Sequence, residues 1–140
     1  MKGPKSGAVW PAHVPRWLHP ALQWWWPGTR WATDHSCAVH LTFDDGPDPD
    51  ITPWVLDVLE EHGMKATFFV VGAQAKRHPD LLQKLRAQGH AVGGHTMNHE
   101  HGWHTNTQAY VHSARASLQV DQEGRSLFRP PYGKLTSAQC

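Results

Sequence analysis

Two adjacent carboxylates, Asp44 and Asp45, are followed directly by Gly46 and Pro47 and come after a short apolar run. In such a pair, one carboxylate can bind a divalent cation while the other, its charge steadied by that cation, acts as a general base. The alternative is a solvated turn, because Asp, Gly and Pro are favoured in turns for conformational reasons alone. Taken alone, the pair favours the turn, so its chemistry depends on partners elsewhere in the chain.

His95 and His99 form a histidine pair four residues apart, directly after a Gly-Gly dipeptide. This spacing predicts that both imidazoles lie on one side of a helical turn, as zinc sites often require. The chain has 12 histidines in 140 residues, so about one such pair is expected by chance. The position of the pair directly after a predicted strand favours its interpretation as part of a metal site. Two histidines and one carboxylate, with positions open to water and substrate, would form a catalytic zinc site.

A third polar group stands in the stretch from Arg129 to Tyr132, which reads Arg-Pro-Pro-Tyr. This stretch stands at the end of the fourth predicted strand, so Arg129 would share the face of the other strand ends, and the ordinary alternative for it is a surface ion pair. The two prolines predict at least a rigid turn. His101 and His104 lie near the histidine pair but belong to no motif. We therefore expect them to be surface histidines and not ligands.

The elements that would position these residues alternate between strand and helix. Functional residues collect at the C-terminal ends of parallel strands, so three strand ends would bring Asp44, His95 and Arg129 to one face, while the second strand end offers nothing titratable. This order predicts parallel strands with outer helices, as in a (β/α)-barrel. Strands are predicted at 38–43, at 65–72, at 91–92 leading into Gly93-Gly94-His95, and at 126–129. Helices are predicted from Thr52-Pro53 to Gly63, from Pro79 to Gly89, from Thr105 or Asn106, and from Lys134.

The first 35 residues form a compositional unit of their own. Six of the eight tryptophans fall within the first 31 residues, among frequent prolines that cannot support a long helix. Clustered indoles could contact a membrane surface at the headgroup level, or they could simply pack. We favour packing, because no basic amphipathic stripe accompanies the tryptophans.

The overall composition excludes several classes. A formal net charge of +1 gives no electrostatic case for nucleic acid as a partner. Cys37 and Cys140 are too few for a disulfide framework and form no Cys-x-x-Cys pair. No apolar run is long enough to predict a membrane-spanning helix, and prolines and charges interrupt any secretory leader. The localisation therefore stays open.

Three motifs together resemble the polysaccharide deacetylase (NodB-homology) family. They are Thr-Phe-Asp-Asp-Gly-Pro-Asp at 42–48, His-Thr-Met-Asn-His at 95–99 and Arg-Pro-Pro-Tyr-Gly at 129–133. The strand at 65–72 is similar to the second strand of that family as well. The resemblance covers about residues 36 to 135, and the first and third motifs are each specific.

The resemblance implies a role for each motif residue. Asp44 would be the general base, and Asp45, His95 and His99 would bind a divalent metal, which in this family is usually zinc. Arg129 would orient the base. Tyr132 would hold the oxyanion through its backbone N–H and, with Pro131, would line the sugar groove. The reaction implied is hydrolysis of an acetamide on an N-acetylglucosamine-containing glycan, such as peptidoglycan or a chitin-like oligomer.

The resemblance also implies a fold, a (β/α)-barrel of the deacetylase type, of which only the first four or so strands are present. The domains would be a Trp/Pro-rich segment at 1–35 and a C-terminally incomplete deacetylase domain at 36–140. Two later family motifs, one with Asp and Trp and one Leu-x-His that carries the general acid, have no counterpart after Gly133. The alternative function is therefore a catalytically weak or inactive metal- and sugar-binding fragment. Gly94 stands where the family often has Asn, which we expect to be harmless.

Overall fold

A computed structural model describes residues 16–25, 39–120 and 126–139, which fall into two units that we treat separately. The first unit has a 3-10 turn at Arg16–Leu18 followed by helix α1 (His19–Trp25). Trp17 and Trp24 expose 77% and 83% of their surfaces, while the predictions for the remaining N-terminal tryptophans concern side chains outside the described part. The choice between packing and membrane contact for this segment stays a prediction. None of the described helices has the length and apolar character needed to cross a bilayer.

The second unit is built on a three-stranded parallel sheet in the order β1-β2-β3. Its strands are β1 (Leu41–Asp44), β2 (Ala66–Val70) and β3 (Ala91–Gly94). Asp44 lies opposite Phe69 in the register of β1 and β2. The predicted parallel arrangement of strands and outer helices is confirmed. It places the C-terminal ends of β1 and β3 at one edge.

The predicted fourth strand, 126–129, is only partly correct. Ser126–Leu127 (β5) pairs antiparallel with β4 (Gln119–Val120), and a single parallel bridge joins Phe128 to Gly94. That bridge still brings Arg129 to the edge at which β3 ends, and its backbone N–H donates to the Gly94 carbonyl at 3.0 Å. A side chain at Gly94 would meet the Ser117 hydroxyl at 2.8 Å. Glycine is therefore required by close packing against α5 (Thr107–Ser117).

Four helices surround the sheet: α2 (Ile51–Glu61), α3 (Gly72–Arg77), α4 (Pro79–Ala87) and α5. The prediction that Pro53 is the first helical residue is wrong, because α2 begins two residues earlier. The Asp48 carboxylate accepts hydrogen bonds from the N–H groups of Ile51 and Asp50, each at 2.9 Å, so free donors of the first turn are satisfied before the proline. These backbone bonds, with Ile51 the largest cause, lower the pKa of Asp48.

The core lies between β2 and the helices on one face of the sheet. Leu56 of α2 and Leu85 of α4 are fully buried, and Leu82 packs against the same cluster. Burying a side chain of this size contributes about 1.5–3 kcal/mol relative to leaving it exposed. The core therefore holds β2 in place, and with it both neighbouring strands whose ends carry the polar motifs.

Helix α5 begins as predicted, with Asn106 as its cap: the side-chain oxygen accepts from the backbone N–H groups of Gln108 at 3.0 Å and Ala109 at 3.4 Å. The prediction of a further helix from Lys134 is wrong for the described residues. That stretch contains only a 3-10 turn at Ser137–Gln139. Helix α3 was not predicted, because it follows β2 directly and has only 6 residues.

Candidate metal centre and active site

Asp45, His95 and His99 converge at the carboxyl edge of the sheet. The Asp45 Oδ1 atom lies 3.4 Å from His95 Nε2 and 3.1 Å from His99 Nε2. One potential ligand atom from each of the three residues lies within 4.8 Å of the others. Residues distant in the chain thus present one oxygen and two nitrogen donors to a common point.

His95 is fixed by the core. Its side chain is only 3% exposed, and its Nδ1 atom lies 2.7 Å from the Arg129 carbonyl oxygen. A carbonyl oxygen can only accept, so Nδ1 carries the proton and donates it. In the neutral ring, the lone pair is then on Nε2, which faces Asp45. This arrangement prepares His95 as a ligand before any ion binds.

His99 is held by a loop. The prediction of a helical turn for the histidine pair is wrong: residues 95–100 follow β3 without forming a helix, and Thr96 and His99 adopt left-handed φ values of 60° and 58°. A helical turn cannot contain two such residues. The loop nevertheless brings the two rings to a centroid distance of 5.1 Å. The four-residue spacing produces the pair through a different backbone path.

Glu100 closes this loop. Its carboxylate accepts from the Asn98 backbone N–H at 3.2 Å and from the Asn98 side-chain amide at 3.1 Å, while its own N–H donates to the Thr96 hydroxyl at 3.0 Å. Burial opposes the charged form, but hydrogen bonds from Ser113, Thr96 and the backbone outweigh it and lower the pKa of Glu100 to about 2. The ionised Glu100 carboxylate therefore holds Asn98, and the Glu100 N–H holds Thr96, so the backbone around His99 is fixed.

Left-handed backbone is concentrated at this edge. The described non-glycine residues with positive φ are Asp45, Thr96, His99 and Tyr132, and all belong to the three motifs. Each such residue costs on the order of 1–3 kcal/mol and persists only where the surrounding structure imposes it. Strain of this kind clusters at functional sites, which supports a functional reading of this edge.

Asp44 and Arg129 form a second pair beside the three potential ligands. Arg129 Nη1 donates to Asp44 Oδ1 at 2.8 Å and to the Thr42 hydroxyl at 2.9 Å. The guanidinium carbon lies 4.2 Å from the centroid of the Phe69 ring, which covers one of its faces. These contacts fix the direction from which Arg129 approaches the carboxylate. The Asp44 carboxyl is 37% exposed and therefore still open to solvent.

Tyr132 borders the site, whereas Pro131 lies beneath it. The Tyr132 ring is edge-on to His99 at 4.8 Å between centroids, and the residue is 63% exposed. Pro131 is fully buried, so its ring offers no surface to a substrate. The expected substrate contact of Pro131 is thereby corrected: the proline shapes the turn that presents Tyr132.

The neighbouring histidines lie outside the group of three. The rings of His101 and His104 are in contact, with centroids 4.3 Å apart and planes tilted by 35°, and His104 is exposed. Desolvation, followed by the charges of His104 and Lys134, lowers the pKa of His101. Among the described residues, the one group with metal-ligand geometry is Asp45, His95 and His99.

A cleft of about 320 Å³ adjoins Asp45 and His99 on the side of α3, and we call it the α3 cleft. Its polar lining includes Gln74 and Arg77 of α3 and Asn98 of the loop. Sequence reasoning missed Gln74 and Arg77, because the end of the second strand was expected to offer nothing titratable. The short helix that follows β2 supplies them.

The donor set fits a divalent metal. Two imidazole nitrogens and one carboxylate oxygen suit zinc and other late first-row ions, and three protein ligands leave room for water or substrate. The tautomer fixed at His95 and the hydrogen-bonded loop at His99 are the outer contacts that such sites require. Asp45, His95 and His99 would hold the ion.

The chain matches the family model described as polysaccharide deacetylase over residues 32–139. It belongs to the polysaccharide deacetylase family. The predicted family resemblance is therefore confirmed, and the site described above lies wholly within the matched residues.

The curated relatives of this chain are named for two kinds of glycan substrate. A chitooligosaccharide deacetylase of Sinorhizobium fredii is 61% identical over 62 residues, covering 44% of this chain and 29% of the relative. A peptidoglycan-N-acetylglucosamine deacetylase of Bacillus cereus is 35% identical over 109 residues, covering 75% of this chain and 40% of the relative. The chain thus spans less than half the length of either relative.

Solved structures of the family agree in fold. The peptidoglycan deacetylase PdaC from Bacillus subtilis superposes with a TM-score of 0.65 at 31% identity, covering 71% of this chain and 52% of that one. A family 4 carbohydrate esterase from Streptomyces lividans in complex with acetate gives 0.63 at 30% identity, covering 72% and 54%. The predicted fold class, a (β/α)-barrel of the deacetylase type of which this chain contains the first strands, is confirmed.

Proposed function

We propose that the chain provides the metal-binding and base-bearing part of an N-deacetylase that hydrolyses acetamide groups on an N-acetylglucosamine-containing glycan, with zinc as the ion. The observation that carries this proposal is the juxtaposition of two groups at one sheet edge. Asp45, His95 and His99 form a ligand set, and Asp44, the residue adjacent to a ligand, is paired with Arg129 at 2.8 Å. Enzymatic hydrolysis of an amide is promoted by a Lewis acid that polarises the carbonyl and by a base that takes a proton from the attacking water.

Asp44 acts as the general base. One carboxylate oxygen is engaged by Arg129, so the charge is oriented while the solvent-exposed part of the group remains able to accept a proton from the attacking water. As the water oxygen bonds to the acetyl carbon, its proton moves to Asp44. The C–N bond then breaks as the proton held by Asp44 passes to the leaving nitrogen, which releases the amine and acetic acid, and the acid ionises to acetate.

Stabilisation of the developing oxyanion comes from two directions. The chemistry supplied by a divalent ion at the three ligands, when it is bound, is Lewis-acid polarisation of the acetamide carbonyl. The backbone N–H of Tyr132, in a left-handed residue at the rim of the site, donates to the same oxygen. The exposed phenol ring of Tyr132 forms one wall for the sugar.

Two glycan classes are candidates for the substrate. The names of the relatives refer to chitooligosaccharides and to the N-acetylglucosamine of peptidoglycan. Both contain the N-acetylglucosamine unit that the proposed chemistry needs. The common substrate feature is therefore the acetamide on a β-linked glycan.

The test is acetate release from tri-N-acetylchitotriose and from peptidoglycan fragments by the 140-residue chain with one equivalent of zinc. The matched variant is Asp44→Asn, which keeps the size of the side chain and removes the base. We expect unchanged zinc affinity and a fall in turnover of about 10² to 10⁴, the usual contribution of a positioned base.

The outcomes separate the main proposal from its alternative. Turnover that needs zinc and Asp44 supports the deacetylase. Binding of zinc and glycan without acetate release favours the alternative of a metal- and sugar-binding protein with weak or absent activity. Normal turnover in Asp44→Asn would show that another group is the base.

A further inference from the structure

The chain leaves β2 through a short segment, residues 71–73, that contributes no charged side chain to the site. Because β2 lies between β1 and β3, this segment emerges between the turn of Asp45 and the loop of His99. Toward the turn, the Val71 N–H donates to the Gly46 carbonyl at 3.0 Å, directly after Asp45. The segment is therefore bonded to the backbone that carries the carboxylate ligand.

The histidine loop is bonded to the same segment. The Gly72 N–H donates to the Thr96 carbonyl at 2.9 Å, and the Ala73 N–H donates to the Met97 carbonyl at 2.8 Å. Both acceptors stand between the two histidine ligands in the sequence. Three consecutive N–H groups thus join the two stretches of backbone whose side chains form the ligand set.

The bonds to the histidine loop have an ordinary explanation, which is helix capping. The first N–H groups of a helix have no acceptor within it, and Val71, the residue before α3, has no side-chain oxygen to supply one. The loop carbonyls meet this need. Capping explains why α3 requires acceptors, but it does not explain why the loop backbone comes so close to Gly72.

Gly72 marks a close approach between the segment and the loop. A Cβ atom at this position would overlap the Met97 sulfur and would lie 3.3 Å from the Met97 Cα. The sulfur can move aside, but the Cα belongs to a backbone that is also held by the bond from the Met97 N–H to the Ser113 hydroxyl at 2.9 Å. A side chain at residue 72 would therefore press on the loop two residues before His99.

We propose that residues 71–73 are a positioning element of the metal site, and that Gly72 sets the place of His99 relative to Asp45 by letting the loop approach. Metal sites require ligand distances within a few tenths of an ångström, so a small displacement of the loop lowers affinity. Gly72 is a positioning residue and touches neither the ion nor the substrate. This inference rests on the proposed function, because it takes the three residues as ligands, and deepens it.

The first test is the zinc affinity of Gly72→Ala, measured by isothermal titration. We expect a fall of about tenfold, the lower end for a contact outside the ligand set. Met97→Ala alone should leave the affinity unchanged. The double variant Gly72→Ala/Met97→Ala should recover most of the native affinity, because the shortened side chain frees the space that the new methyl group needs.

Cobalt in place of zinc provides a second measurement, because the visible absorption of Co²⁺ depends on its coordination geometry. The spectrum should change in Gly72→Ala and return to the native form in the double variant. Leu82→Ala is the control for a general loss of stability, since Leu82 packs against the core cluster and not against the loop. It should lower the free energy of unfolding and leave the cobalt spectrum native.

A further pair of variants tests the bond itself. Proline is tolerated at the first position of a helix, which Gly72 occupies, and the extended Val71 (φ −72°, ψ 122°) suits a residue before proline. Gly72→Pro/Met97→Ala therefore removes the N–H that bonds to Thr96 while α3 can still form. We expect it to bind zinc about tenfold more weakly than Gly72→Ala/Met97→Ala.

The outcomes separate this inference from the proposed function. Native zinc affinity and a native cobalt spectrum in Gly72→Ala would overturn the inference alone. A loss that Met97→Ala does not restore, or an equal loss in Leu82→Ala, would overturn it as well, because affinity would then follow stability and not the approach of the loop. Equal affinities in the proline and alanine double variants would show that the bond positions nothing. Failure of the native chain to bind zinc would overturn the proposed function, and this inference with it.

Discussion

His95 and His99 are neighbours in the site, yet they are positioned by different means. The His95 side chain is 3% exposed and bonded to a carbonyl that arrives from 34 residues later in the chain. The His99 side chain is 29% exposed, and its backbone belongs to a loop that bonds within itself, to α5, and through the Thr96 and Met97 carbonyls to the first residues of α3. The ring of one ligand is therefore held by a tertiary hydrogen bond in the core, whereas the ring of the other lies at the rim and is placed by its loop backbone.

This difference has a physical consequence. Removing His95 disturbs the junction between β3 and the segment that carries Arg129, because the Arg129 carbonyl loses its donor. Removing His99 disturbs only the rim, where the ring contacts Tyr132. Metal affinity should depend on both histidines, whereas the stability of the fold should depend on His95 alone.

The largest effect is expected for His95→Ala. With two protein ligands left, zinc affinity should fall by more than the roughly 10- to 100-fold that the loss of an outer contact costs. The unpaired carbonyl should also lower the free energy of unfolding of the metal-free chain by about 1–3 kcal/mol. Isothermal titration with zinc and urea unfolding without metal measure the two effects. Unchanged zinc affinity would remove His95 from the ligand set.

His99→Ala should separate the two effects. Zinc affinity should again fall by more than about 100-fold, because a ligand is lost. The metal-free free energy of unfolding should change by no more than about 0.5 kcal/mol, as is usual for partly exposed positions. The same two experiments apply. A destabilisation equal to that of His95→Ala would mean that the loop supports the fold and that the comparison is wrong.

The fold was predictable where burial and periodicity were strong. The apolar strand β2 and the helices α2 and α4 follow from Leu, Val and Phe positions that end at a glycine, and α5 follows from Tyr110, Ala114 and Leu118 at helical spacing. The pairing of β4 with β5 and the short helix α3 were not predicted, because β4 and β5 have 2 residues each and the 6 residues of α3 are too few to show a helical repeat of apolar positions. The start of α2 was misjudged because the side chain of Asp48, not Pro53, organises it.

The residues of the three motifs could be predicted from the sequence, whereas the residues that position their side chains could not. The sequence placed Asp44, Asp45, His95 and Arg129 at strand ends, and the structure brings these residues together. Glu100 and Phe69 had no sequence signal, since their contacts depend on loop conformation and on strand register. The roles of the motif residues stay predictions until variants are measured.

The Glu100 loop offers a smaller and more specific perturbation of His99. Glu100→Gln keeps the shape of the side chain but turns one acceptor into a donor that faces the N–H groups of Asn98. We expect zinc affinity to fall about tenfold, the lower end for an outer contact. Glu61→Gln, at the exposed end of α2, is the matched control and should leave affinity unchanged. Equal affinities in both variants would show that the loop holds His99 without Glu100.

The same carboxylate predicts a pH dependence. Because folding lowers the pKa of Glu100 from 4.5 to about 2, its stabilisation is fully present above pH 4.5 and is lost as the pH falls toward 2. The difference in unfolding free energy between the native chain and Glu100→Gln should therefore shrink over this range. Urea unfolding of the metal-free proteins at several pH values measures it. A difference that does not vary with pH would show that the ionised form is not the one being stabilised.

The smallest effect concerns His101 and His104, which lie beside the site and outside the ligand group. Their ring centroids are 4.3 Å apart, a distance at which two imidazoles could share a second metal ion. We expect the native chain to bind one zinc ion at Asp45, His95 and His99. His101→Ala and His104→Ala, alone and together, should change its affinity by less than about twofold, because outer contacts that matter cost at least tenfold. A native stoichiometry of two that falls to one in the double variant would reveal a separate site. A loss as large as that of His99→Ala would place one of these rings among the ligands, and the contrast between a ligand fixed by the core and a ligand fixed by a loop would then have to include it.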